Sequence, residues 1–114
     1  MPHFVLEYSP DLETAHDMQT LCNDICAFAI ETGAFPNSGA VKVRATAVGH
    51  AALGCERQDF LHATIRLLQG RSEEVQAGLT SGLLALLDEK LPTVANLSVE
   101  IKEITTATYA KRNL

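Results

Sequence analysis

The feature that most constrains this chain is a strand–helix–strand order that occurs twice within 114 residues. The first half, about residues 2–48, opens on His3 to Tyr8 (HFVLEY), a short run of strand formers. Ser9-Pro10-Asp11 breaks that run and offers capping oxygens for a helix. From Leu12 to about Thr32 the pattern is helical, because Met18, Leu21, Cys22, Ile25, Phe28 and Ala29 recur at the three-and-four spacing of one apolar face. Gly33 sits where a helix stops. The loop Phe35-Pro36-Asn37-Ser38-Gly39 follows, and Val41 to Val48 (VKVRATAV) alternates as a strand does. The second half, about residues 59–104, repeats the order after a connector from about Gly49 to Gln58. Asp59 to Leu68 reads as a strand and Gln69-Gly70-Arg71-Ser72 as a turn. Ser72 with Glu73 and Glu74 starts a helix, since carboxylates favour the positive end of the helix dipole. Val75, Leu79, Leu83, Leu86 and Leu87 mark its buried face, Pro92 ends it, and Leu97 to Ile104 is the fourth strand. The tail from Thr105 to Leu114 is polar, with one aromatic residue, Tyr109.

This order predicts one domain, residues 1–114, of α/β (α+β) class, with a four-stranded sheet and two helices on one face. Within each half the crossover makes the two strands parallel and the connection right-handed. Two helices cover one face only. Yet the strands carry apolar residues on both parities: Phe4 and Leu6 against Val5, and Leu61 and Ile65 against Phe60 and Leu68. Sheets with parallel strands are normally covered on both faces. The uncovered face is therefore expected to meet another subunit, in an obligate oligomer.

Composition narrows the function classes. The chain is 46% hydrophobic and 20% charged, ordinary for a soluble globular domain. No apolar run is long enough to span a bilayer. The first residues show no basic segment followed by an apolar one, so no signal peptide is expected and the cytoplasm is the expected location. A net charge of -5 argues against a broad basic surface for nucleic acid. The few basic residues fall into three groupings: Lys42 with Arg44, Arg66 with Arg71, and Lys111 with Arg112. Cys22, Cys26 and Cys55 are an odd set with no secretory signal, which argues against a disulfide framework. No Cys or His at zinc spacing joins Cys22 and Cys26, so these read as buried structural thiols and no metal is expected.

The chemistry-bearing residue is Pro2. Initiator methionine is generally removed before a small residue, which would leave proline as an N-terminal secondary amine. A free α-amino group has a pKa of about 7.7–8.0. A dry pocket or a nearby cation lowers it, giving a base that is unprotonated at neutral pH, as proton abstraction beside a carbonyl requires. The bland alternative is a chain start that happens to contain proline. Arg71 is the second candidate, at the C-terminal end of a strand and beside a helix N-terminus, where α/β proteins often bind anions. Its guanidinium can hold a carboxylate bidentately. A solvated turn arginine is the alternative.

The start Met1-Pro2-His3-Phe4 with Glu7, the stretch Thr32-Gly33-Ala34-Phe35-Pro36 with Gly39, the turn Gly70-Arg71-Ser72, and Val99-Glu100-Ile101 together resemble the 5-carboxymethyl-2-hydroxymuconate delta-isomerase family of the tautomerase superfamily. The resemblance extends over almost the whole chain. It implies a homotrimer of βαββαβ chains, an N-terminal proline in each of three active sites, no cofactor, and Arg71 as the binder of a substrate carboxylate. One departure stands out: the arginine the family carries on strand two falls at Val41 here. Lys42 and Arg44 lie beside it but on the opposite pleat unless the register shifts. Either is a candidate replacement, and a solvated strand face is the alternative for both.

Other polar residues are weaker candidates. His3 should point away from the proline's side of the strand, and His62 reads as a hydrogen-bonded structural histidine. His16 and His50 are expected on a helix surface and in the connector. Glu7 and Glu100 are placed to pair with basic residues, and Tyr109 either covers a neighbour's active site or anchors the tail. The expected function is isomerisation of a small anionic substrate, an unsaturated dicarboxylate or 2-oxo acid such as 5-carboxymethyl-2-hydroxymuconate, in aromatic catabolism. Two other readings stand beside it: a non-catalytic trimeric binding or structural protein, and a hydratase or dehalogenase of unsaturated acids in which a protonated proline acts as acid.

Overall fold

Strand β1 (His3–Tyr8) sorts its side chains by parity, as a period of two requires: Phe4, Leu6 and Tyr8 are buried, while His3, Val5 and Glu7 face the other way. A computed structural model describes all 114 residues and gathers β1, β2 (Lys42–Ala47), β3 (Phe60–Leu68) and β4 (Asn96–Ile104) into one sheet of order β2-β1-β3-β4. Strands β1 and β2 are parallel, as are β3 and β4. The halves join through an antiparallel β1–β3 pair at the centre. The fold is α+β with a mixed sheet.

The single helix expected over Leu12 to Thr32 is broken into α1 (Leu12–Ala15) and α2 (Met18–Glu31). His16 and Asp17 have extended backbone at the break. The Asp17 carboxylate accepts from the N–H groups of Gln19 and Thr20, at 3.0 and 3.2 Å. It thereby satisfies amides that a new helix leaves unpaired. His16 thus caps α1 instead of lying on a helix surface. Helix α3 (Glu73–Lys90) begins as its sequence indicates, with the Ser72 hydroxyl accepting from Val75 N–H at 3.2 Å.

Helix α2 packs on β2, α3 packs on β4, and the two helices touch each other. Phe4, Leu6, Ile25, Leu61, Ile65 and Leu83 form the centre of the core, all 0% exposed. Each such side chain contributes roughly 1.5–3 kcal/mol relative to leaving it in water. The uncovered face differs from expectation. Cross-strand register puts Lys42, His3, Arg66 and Lys102 in one row, and Thr46, Glu7, His62 and Ser98 in another. Val5, Phe60, Leu68 and Ile104 are its apolar members, scattered among polar neighbours. The second parity is therefore mainly a polar surface, and the apolar face inferred from Val5, Phe60 and Leu68 is not a continuous one. Cys22 and Cys26, expected as buried thiols, are half-buried on α2, and Cys55 is exposed in the irregular connector. No helix is long and apolar enough to cross a membrane.

The α2–α3 contact is close at Gly82, where an added Cβ would sit 3.1 and 3.2 Å from the Phe28 ring. At Gly78, in the same helix, nothing lies within 4 Å. Gly78→Ala is expected to stabilise by about 0.5–1 kcal/mol through helix propensity. Gly82→Ala should gain less, because the Phe28 ring must move. Urea unfolding of both variants checks the order, and an equal gain at Gly82 would contradict tight packing there.

Candidate active site

Because β1 runs parallel to β2 and antiparallel to β3, four stretches of chain meet at one end of the sheet. They are Met1-Pro2, the entry to β2, the turn after β3, and the tail after β4. Lys42 N–H donates to the Pro2 carbonyl at 3.0 Å, and the N-terminal ammonium donates to the Ala40 carbonyl at 3.2 Å. The Pro2 side chain is fully buried.

Arg71 is held in place by the same convergence. Gly70, with φ of 117°, turns the chain out of β3 in a conformation that favours glycine. The Arg71 guanidinium then donates to the Ala34 carbonyl at 2.9 Å and to the Leu68 carbonyl at 3.4 Å. It lies over the Phe35 ring, 5.0 Å from the centroid, a cation–π contact. Phe35 is buried and meets Phe4 edge-on. The Gln76 side chain donates to the Arg71 carbonyl at 3.0 Å. Arg71 is a half-buried cation fixed by packing.

The electrostatics follow. Burial first, then the positive charges of Lys111, Lys42 and Arg71, hold the N-terminal ammonium below its ordinary pKa. His3, on the uncovered face, is also depressed, by burial first and then by Arg44, Lys42, the N-terminus and Arg66. Its Nδ1 receives the Arg44 guanidinium at 3.0 Å and its Nε2 lies 2.9 Å from the Tyr109 hydroxyl. The sequence candidates thus separate. Pro2, Arg71 and Lys42 come together at the N-terminus, whereas Arg44 is turned toward His3. Val41 is buried in the core, so no cation comes from that position.

The tail-anchor reading of Tyr109 was open in the sequence, but two features were not: that His3 is the partner it ties to, and the approach of Lys111. The signal available was only the Lys111–Arg112 grouping. Elsewhere, His62 meets Ser98 and Glu100 at 2.6 Å each, as a structural histidine would. A surface hollow of about 650 Å³, lined in part by Asp11, His16, Arg57 and Asp59, lies at the opposite end of β1 and contains none of Pro2, Lys42, Arg44 and Arg71. No three His, Cys, Asp or Glu side chains are grouped to hold a metal ion.

A family model for 5-carboxymethyl-2-hydroxymuconate isomerase matches residues 2–114. The chain belongs to that family. It is accordingly a cofactor-independent isomerase of the tautomerase superfamily. Among solved structures it is similar to a 5-carboxymethyl-2-hydroxymuconate isomerase from Deinococcus radiodurans R1, at 28% identity and TM-score 0.80, over 99% of this chain and 90% of that one. It is also similar to a 5-carboxymethyl-2-hydroxymuconate delta-isomerase, at 24% identity and TM-score 0.70, over 100% and 88% of the two chains. The fold extends to a macrophage migration inhibitory factor-like protein from Entamoeba histolytica, at 14% identity and TM-score 0.72, over 97% and 95%. No curated protein matches significantly.

For a family member with this charge arrangement, the N-terminal amine is expected to titrate below an ordinary α-amine. A neighbouring cation disfavours its charged form, so Lys42→Ala or Arg71→Ala should move the pKa up, and added salt should do the same. The pH dependence of N-terminal acylation, read by mass spectrometry, checks this. A titration unmoved by salt and by both variants would show that the cations do not act on it.

Proposed function

We propose that the protein is a homotrimeric tautomerase that moves a proton within an unsaturated 2-hydroxy- or 2-oxo-dicarboxylate such as 5-carboxymethyl-2-hydroxymuconate, with Pro2 as the base. The observation that carries this reading is the gathering of Lys42, Arg71 and Lys111 around a buried chain start, in a protein whose net charge is -5. An anionic substrate is what such a corner attracts.

Removal of Met1 is the first step of the proposal. While Met1 is attached, the Pro2 nitrogen belongs to a tertiary amide and is not basic. Once freed, it is a secondary amine in the same cationic, partly desolvated corner, and its pKa is depressed for the reasons that act on the present N-terminus. The unprotonated nitrogen takes a proton from the dienol hydroxyl or from carbon and returns it to a different carbon of the same molecule. Arg71 binds a carboxylate and stabilises charge developing on the dienolate. Lys42 adds to the positive field and is the better replacement for the family's strand-two arginine, since Arg44 donates to His3. Base, carboxylate binder and field complete the chemistry with no cofactor. The unpaired outer edges of β2 and β4 support subunit contacts in the homotrimer. The setting of the reaction is cytoplasmic breakdown of aromatic compounds.

A spectrophotometric isomerisation assay on 5-carboxymethyl-2-hydroxymuconate tests the reading, with intact mass reporting whether Met1 is removed. Pro2→Ala is expected to lower kcat by roughly 10²–10⁴-fold, the usual range for a lost general base. Arg71→Ala should raise KM by about tenfold or more, the worth of a charge-assisted contact. Base catalysis is lost as pH falls through the Pro2 pKa, whereas an acid-type hydratase loses activity as pH rises through it. Turnover no faster in the native protein than in Pro2→Ala would reject the assignment.

A further inference from the structure

The C-terminal tail does more at this end of the sheet than close the chain. After β4 ends at Ile104, Thr106 N–H donates to the Gln69 side chain at 3.1 Å, which draws the tail toward the turn after β3. A short 3-10 turn, Thr106–Thr108, redirects it. The Tyr109 hydroxyl then meets His3 Nε2 at 2.9 Å, with the rings edge to face at 6.0 Å. The tail has therefore crossed from the outer strand β4, past β3, to the residue next to Pro2. Lys111 follows two residues later, within about 7 Å of chain from Tyr109.

His3 is a well-defined anchor. The Arg44 guanidinium can only donate, so His3 Nδ1 accepts and carries no proton. Nε2 then carries the ring proton and donates to Tyr109. The other two cations at the chain start have carbonyl partners, and Arg71, with five N–H groups, keeps three of them for a carboxylate. Lys42 Nζ donates to the Ala40 carbonyl at 3.3 Å, and Arg71 donates to two carbonyls. The ion pairs of the structure are Arg57–Asp59, His62–Glu100 and Lys90–Asp24, so the Lys111 ammonium is in none of them. Lys111 is exposed, and its charge acts on the N-terminal nitrogen more strongly than those of Lys42 and Arg71.

We infer that Lys111, delivered by the Tyr109–His3 tie, is a substrate-binding residue that receives the second carboxylate of a dicarboxylate whose first carboxylate is held by Arg71. This rests on the reading of Arg71 and the chain start as the active site. Tyr109 and His3 are positioning residues in this arrangement.

The test measures binding, not turnover, by calorimetry on the full-length protein. Its probes are trans,trans-muconate and sorbate, which share a six-carbon chain with a conjugated diene and differ in that sorbate has a methyl group in place of the second carboxylate. The native protein is expected to bind muconate about tenfold tighter than sorbate, the usual worth of a charge-assisted contact. Lys111→Ala should bring the two affinities within about twofold while leaving sorbate unchanged, and Lys111→Arg should restore most of the preference. Tyr109→Phe should reduce it in part, and Arg112→Ala should leave it intact. A preference that survives Lys111→Ala, or that is absent from the native protein, overturns the inference. So does an equal loss in Arg112→Ala, which would mean a diffuse field. Pro2→Ala keeps the preference if the inference holds, so the base and the carboxylate contact fail separately. Full turnover in Pro2→Ala rejects the base alone, and an unchanged preference in Lys111→Ala rejects the contact alone.

Discussion

The burial of Phe4, Leu6 and Tyr8 beneath the helices is the constraint on which the rest of the molecule depends. Side chains on a strand alternate, so fixing these three inward turns His3, Val5 and Glu7 to the other face. A slip of one residue would drive His3 into a core that offers it no partner. With that register set, β1 sits between a parallel neighbour and an antiparallel one. Its N-terminus must then lie where β2 begins and where β3 and β4 end. The meeting of Pro2, Lys42, Arg71 and the tail is a consequence of strand directions.

The row Lys42, His3, Arg66 and Lys102 would be unfavourable on an ordinary sheet, since like charges directly opposite each other destabilise a strand pair. The cost is moderated because the Arg66 and Lys102 side chains are exposed, and because His3 is held toward its neutral form. What remains is a concentrated positive field on an acidic protein. An anion bound at that corner relieves repulsion that folding alone leaves in place. On the proposed reading of this corner, substrate attraction and cross-strand repulsion are two descriptions of one charge distribution.

Much of this was legible in the residues. The doubled strand–helix–strand order, the Ser72 start of α3 and the turn position of Arg71 all follow from local rules of periodicity and capping. The break at Asp17 was missed because the helical spacing of Met18, Leu21 and Ile25 was carried back to Leu12, which at nine positions before Leu21 falls on the opposite side of a continuous helix. The hydrogen bonds of the Asp17 carboxylate to Gln19 and Thr20 start α2 afresh. Reading both strand parities as apolar failed for a related reason. Val5, Phe60 and Leu68 are apolar, yet cross-strand register surrounds them with polar side chains that no single strand reveals. Lys42 and Arg44, two apart on one strand, share a face and cannot be told apart by parity. The tie between His3 and Tyr109 spans 106 positions and leaves no local trace.

Val41 shows why cations at this corner come from separate segments. It is only 9% exposed and belongs to the same buried cluster as Phe4 and Phe35. An arginine side chain there would either leave the cluster, opening a void, or carry a charge into it, and an unpaired buried charge is far costlier than the void. Valine resolves the conflict in favour of the core and removes a cation from β2's inner side. Positive charge then reaches the chain start from places outside the core: the outer face of β2 at Lys42, the turn after β3 at Arg71, and the tail at Lys111. None of these residues is near another in sequence, so no local segment of the chain can assemble the field by itself. Its strength depends on the sheet being closed and on the tail being tied down at His3. Loosening the tail would dilute the charge at the N-terminus without disturbing Phe4, Leu6 or Tyr8, which makes the tail the part of the fold through which this corner is most easily tuned.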